Sequence, residues 1–85
     1  MKDRKMSAVF STFIKETRLE KALTQESMAE QLGISVRSYA ELEHGRSLCS
    51  MRVFIRLMSI LDQERQLRLI ALFVGALNEE EKDAE

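Results

Sequence analysis

Proline is absent from the 85 residues, and glycine occurs only at Gly33, Gly45 and Gly75. All-β domains draw on both residues for their many turns, so the β classes are not expected. Cysteine occurs once, at Cys49. A disulfide framework within one chain is therefore excluded, and a reducing compartment is expected. Long hydrophobic runs are missing as well. The longest, Leu69 to Leu77, covers nine residues, against the roughly 20 needed to span a bilayer. Lys2, Arg4 and Lys5 precede no apolar stretch with a small-residue cleavage site, so no secretory signal is read. A basic excess is also lacking. Thirteen Lys and Arg face fourteen Asp and Glu, a net charge of −1, so bulk charge alone does not announce a nucleic-acid binder. The expectation is a cytoplasmic chain of one domain, marginal in core size.

Catalytic chemistry is poorly supplied. His44 and Cys49 stand five positions apart with Gly45 between them, too little to specify a nucleophile pair. A zinc site takes about four ligands at tight spacing, and no such set is present. No Gly-rich phosphate loop occurs. No enzyme activity, cofactor or metal is expected.

The hydrophobic content of 45% is ordinary for a globular domain, and its spacing is helical. Ser7 is placed as the N-cap of a first helix over Ala8 to Lys21, with Phe10, Phe13, Ile14 and Thr17 as its inner stripe. Thr24 caps a second helix, Gln25 to Leu32, ended by Gly33 at a left-handed position. Ser35 caps a third, Val36 to Glu43, closed before His44-Gly45. Ser50 caps a fourth, Met51 to Leu61, with Phe54, Leu57, Met58 and Leu61 inward. Asp62 caps a fifth, from about Gln63 to Leu77 or Asn78. Residues 79–85 read as a frayed acidic tail. The fold class is all-α with five helices.

Two helices of about eight residues, joined by Gly33-Ile34-Ser35, have the length and turn chemistry of a helix-turn-helix. At about 100° per residue, Tyr39, Leu42 and Glu43 share one side of the third helix. Val36, Arg37, Ala40 and Glu41 share the other. Tyr39 is assigned to the core rather than to base stacking, and the methionines are read as core fillers.

The segment from Thr17 to Ser47 resembles the lambda-repressor-like, or XRE-type, helix-turn-helix family. The matching elements are Arg18, Thr24-Gln25, Met28-Ala29, Gly33, Ser35 and Glu43-His44-Gly45, with Ser50 and its apolar stripe following. The likeness runs from about Phe10 to Leu61, and residues 7–61 are taken as the DNA-binding unit. Two positions depart from the pattern: Ala22 stands where many members have Gly, and Cys49 where many have Pro.

The resemblance implies roles. Val36, Arg37, Ala40 and Glu41 would line the base-reading face, with Arg37 donating twice to guanine and Glu41 accepting from cytosine N4. Gln25, Ser38, His44 and Arg46 would meet phosphates of double-stranded DNA. Arg18 and Glu43 would form a structural ion pair. Arg37 and Glu41, four apart, have a competing option: pairing with each other on the helix surface. Arg52 and Arg56 either extend the phosphate edge or form a solvated face.

The fifth helix has two apolar stripes. Leu67, Ile70, Val74 and Leu77 form one, and Leu69, Leu72, Phe73 and Ala76 form the other. A helix packed on one side needs only one stripe. Residues 62–78 are therefore assigned to dimerisation, with Leu69, Leu72, Phe73 and Ala76 as the interface and Gly75 allowing close approach; burial of both stripes in a monomer is the alternative. The expected function is a sequence-specific transcriptional regulator of bacterial or phage origin, acting as a homodimer. The alternative is a protein-interaction module, an antitoxin or adaptor, on the same fold. Charge is divided along the chain: residues 1–68 carry 12 basic and 9 acidic side chains, and residues 69–85 carry 1 and 5.

Overall fold

The computed structural model describes residues 4–83. These residues form five α-helices and no strand: α1 (Arg4–Glu20), α2 (Gln25–Leu32), α3 (Val36–Glu43), α4 (Met51–Ile60) and α5 (Gln63–Asp83). No helix among them is long and apolar enough to cross a membrane. α1 packs against α3 and α5, while α2 packs against α3 and α4.

Side-chain oxygens open four of the helices. Thr24 Oγ1 accepts from the Ser27 amide at 3.0 Å, Ser35 Oγ from Ser38 at 3.0 Å and Ser50 Oγ from Val53 at 3.2 Å. Asp62 Oδ1 accepts from the Arg65 amide at 2.8 Å. That backbone N–H, with the Arg65 guanidinium behind it, holds the Asp62 carboxyl below the usual carboxylate range.

Left-handed residues close the first three helices. Gly33 has φ 74° and Gly45 has φ 72°. Around Gly33 the Ile34 amide reaches Ala29 O and the Gly33 amide reaches Glu30 O; Gly45 and Arg46 repeat the pattern onto Leu42 O and Glu41 O. This is the paired-bond C-cap that satisfies orphan carbonyls. α1 ends the same way on Ala22, at φ 58°, with Leu23 N to Arg18 O and Ala22 N to Leu19 O. A Cβ is thus held where glycine is the usual residue.

The core joins Phe10, Phe13 and Ile14 of α1 to Met28, Ala29 and Leu32 of α2, Tyr39 and Leu42 of α3, Val53 and Leu57 of α4, Leu61, and Leu69 of α5. Phe54 and Met58 are only half-buried, and Val53 takes the inward place instead.

Both ends differ from the sequence expectation for one reason. α1 begins at Arg4, three residues before Ser7, and Ser7 is buried within it. α5 continues to Asp83, past the expected stop at Asn78. Glu80 joins the two ends: its Oε2 accepts from the Lys5 amide at 2.9 Å and the Met6 amide at 3.3 Å. A carboxylate distant in sequence therefore caps α1, and the same contact holds the last turns of α5. Residues 84 and 85 of the expected tail lie outside the described residues.

Candidate functional site

α3 divides as its periodicity requires. Tyr39 and Leu42 are buried, whereas Val36, Arg37 and Ser38 are exposed and Ala40 is half-buried. The buried side is anchored by a polar cluster around Glu43. Arg18 Nε donates to Glu43 Oε2 at 2.6 Å and Arg18 Nη2 to Oε1 at 3.3 Å. Gln25 Nε2 donates to Oε1 at 2.9 Å, and the Tyr39 hydroxyl donates to Oε2. Arg18 Nη1 also donates to Leu23 O at 2.9 Å. The cluster fastens α1, the α1–α2 connection, α2 and α3 at one point.

The Glu43 side chain is 4% exposed and that of Arg18 13%. Burial pushes the Glu43 carboxyl up, but hydrogen bonds from Arg18, Tyr39 and Gln25 outweigh it and hold it below its ordinary range. The hydrogen bond with Glu43 raises Arg18 further. Burial and the neighbouring carboxylate both push the Tyr39 hydroxyl up, so it remains a donor. No buried side-chain nitrogen or oxygen among the described residues lacks a partner.

The resemblance implied a phosphate contact for Gln25. Its amide is shared: one N–H is spent on Glu43, and the other is left at the N-terminus of α2. Tyr39 joins this cluster through its hydroxyl as well as filling the core. Its spacing of four from Glu43 was the sequence signal for that contact.

The outward side holds a different pairing from the one weighed for Arg37. Glu41 Oε2 lies 3.0 Å from Arg46 Nη1, in the loop beyond α3. Arg37 makes no hydrogen bond or ion pair with any described residue. Ser35 Oγ donates to Ser38 Oγ at 3.1 Å, which leaves the Ser38 hydroxyl hydrogen free. His44 is exposed, with Nδ1 2.7 Å from Ala40 O. Ser38 and Glu41 border an open cleft of about 290 Å³ with Ser47–Ser50. Cys49 lines the same cleft, and burial pushes its thiol up, away from thiolate reactivity. Arg56 lies across the α2–α3 turn: a Cβ built on Gly33 would stand 3.1 Å from its Cζ. Arg52 is exposed on the same helix.

The assignment of the α5 stripes is corrected. Leu69 is fully buried and Ala76 nearly so. Phe73 stacks on Phe10 at 5.7 Å between ring centroids and lies 6.1 Å from Phe54. Leu72 sits beside Val9 and Thr12 of α1. Leu69, Phe73 and Ala76 face their own fold, with Phe73 set between Phe10 of α1 and Phe54 of α4, while Leu72 is 38% exposed. The whole stripe Leu67, Ile70, Val74 and Leu77 is left outside, and Leu72 with it. Helical arithmetic yields two stripes of similar size and does not tell which neighbour each will meet. No described atom of the chain approaches Gly75 where a Cβ would sit.

A family model described as a helix-turn-helix domain matches residues 12–74. The match begins within α1 and reaches well into α5. No curated protein and no solved structure matches the chain.

Proposed function

The chain belongs to the helix-turn-helix domain family, and on that premise we propose that it is a sequence-specific DNA-binding regulator of transcription, reading the major groove with α3 and acting without catalysis. The observation that carries this reading is the division of α3. Its inner side is fixed by Tyr39, Leu42 and the Glu43 cluster, while Arg37 projects from the other side with no partner among the described residues. A rigid helix that presents an uncommitted guanidinium suits bidentate donation to guanine O6 and N7. Val36 and Ala40 add apolar surface for thymine methyls.

The remaining polar groups suit the flanks. The spare N–H of Gln25, the free hydroxyl of Ser38, and His44 and Arg46 are available to phosphate. The Glu41–Arg46 pair is open to solvent on both sides, and such pairs contribute about 0–1 kcal/mol. DNA can therefore separate it at little cost, sending Arg46 to phosphate and Glu41 to a cytosine amine. The reading includes a homodimer, since recognition helices of this kind work in pairs on half-sites about 34–36 Å apart.

The test is Arg37→Ala against a site selected from random DNA. The expected loss is about 1–3 kcal/mol of specific binding, with non-specific binding nearly unchanged. Equal affinity for the selected site would remove Arg37 from the reading face.

One observation favours the alternative reading, a protein-interaction module on the same fold. With Glu41 and Arg46 paired, Arg37 is the one strongly polar group on the α3 face that stays uncommitted. Absence of DNA binding at low salt would select that module.

A further inference from the structure

Glu41 and Arg46 are joined twice. Arg46 Nη1 donates to Glu41 Oε2 at 3.0 Å, and the Arg46 amide donates to Glu41 O at 3.1 Å. The second bond belongs to the C-cap of α3, where Gly45 at φ 72° turns the chain back along its own helix. Backbone geometry thus delivers Arg46 to the side of Glu41. Neither side chain has another hydrogen-bond or ion-pair partner among the described residues. Both meet solvent, Arg46 at 65% and Glu41 at 41% exposure. Arg37, one turn before Glu41 on the same side of α3, has no partner among the described residues. The outward side of α3 and its cap therefore present one uncommitted guanidinium and one neutralised by a carboxylate.

We propose, resting on the reading that α3 lies in the major groove, that this pair is a base-dependent latch: Glu41 withholds Arg46 from phosphate until the base it faces offers an amine. The Glu41 carboxylate only accepts hydrogen bonds, so it leaves Arg46 only for another donor. In the major groove, cytosine N4 and adenine N6 supply one, whereas the edges of guanine and thymine present acceptors. Against guanine or thymine, opening the pair would set a bare carboxylate among acceptors and phosphates, and Arg46 stays on Glu41. Against an amine, the carboxylate exchanges one donor for another, and Arg46 is released as a full cation beyond the end of α3. A paired guanidinium neutralises less phosphate charge than a free one, so release adds about one phosphate contact. Base reading and backbone affinity are thereby coupled through one exchange of partners. The weakness of an exposed ion pair keeps the exchange reversible, where a tight pair would hold Arg46 on every sequence. Glu41 then determines specificity in two ways, through the base it accepts from and through the cation it lets go.

A double-mutant cycle on DNA binding tests the latch, with the salt slope as its readout. Wild type, Glu41→Gln, Arg46→Gln and the double variant are titrated over a range of salt on two duplexes, the site selected from random DNA and one that lacks it. On the duplex without the site, Glu41→Gln is expected to tighten binding by up to about five-fold, the full worth of an exposed pair. It is also expected to steepen the slope of log K against log salt by about 0.9, the share of one freed cation. In the Arg46→Gln background the same change is expected to leave the slope as it was, because no cation is there to release. On the selected site, the slope of Glu41→Gln is expected to match that of the wild type, since Arg46 is already free. A non-specific slope that Glu41→Gln does not steepen overturns the latch. Equal steepening with and without Arg46 also overturns it, because charge alone would then explain the change. In both of those results a wild-type chain that still selects a site keeps the reading of α3. A wild-type chain that binds no DNA at low salt overturns the reading and the latch together.

Discussion

Glu43 sets the geometry of α3. Three donors from three helices converge on its carboxylate, and its removal strands the Arg18 charge at a site only 13% exposed. Breaking one side of such a pair costs about 3–5 kcal/mol, so Glu43→Ala is expected to lower the urea midpoint severely. The pH dependence has a definite sign. The folded state holds this carboxyl below its ordinary value. Its contribution is therefore complete above the unfolded carboxylate pKa, about 4.3, and is lost as pH falls through the folded value. The stability gap between the wild type and Glu43→Gln is expected to narrow below about pH 4.3. A gap that stays constant down to pH 2 would contradict this assignment. The Arg18–Glu43 pair was expected only through a family likeness, because nothing local links residues 25 positions apart. Tyr39 and Gln25 were visible as residues but not as partners of the same carboxylate.

Helix boundaries were legible wherever the signal was local. Thr24, Ser35, Ser50 and Asp62 each place a side-chain acceptor before an apolar stripe, and α2 and α3 begin and end where those residues and Gly33 and Gly45 dictate. The ends of α1 and α5 were not legible, since Glu80 caps α1 across 75 positions of sequence. Two outcomes follow for these elements. Glu80→Ala is expected to cost about 1 kcal/mol, the usual worth of an N-cap, and to speed amide exchange in the first turn of α1 and the last turns of α5 together. Exchange that changes in α1 alone would show that Glu80 does not tie the two ends. Ala22 is the second case. It is exposed, holds φ 58° and completes a C-cap that glycine fits without strain. Ala22→Gly is expected to raise stability by about 0.5–1 kcal/mol, read as a higher urea midpoint with unchanged m.

The whole molecule separates three tasks. The Glu43 cluster and the shared core hold α1, α2 and α3 together, the outward side of α3 is left free, and α5 contributes one stripe to the core and exposes another. Amphipathic reasoning recovered the five helices and most of the core but set Leu69, Phe73 and Ala76 outward, whereas the fold turns them inward; Phe73 meets Phe10 and Phe54, which a helical wheel of α5 does not contain. The charge division also gains a location. Acidic side chains cluster in α5, whereas Arg37, Arg46, Arg52 and Arg56 lie on α3, the following loop and α4. The near-neutral total thus conceals a basic segment, and binding to DNA is expected to weaken steeply with salt as phosphate contacts release counterions. The central claim, that α3 reads DNA sequence, is tested most directly by selecting bound sites from a random duplex library and titrating the selected site with wild-type protein and Arg37→Ala at fixed salt. The account predicts an enriched symmetric site and a roughly 10- to 100-fold loss for the variant on that site alone. An unenriched library, or a variant that binds the selected site as well as the wild type does, would contradict it.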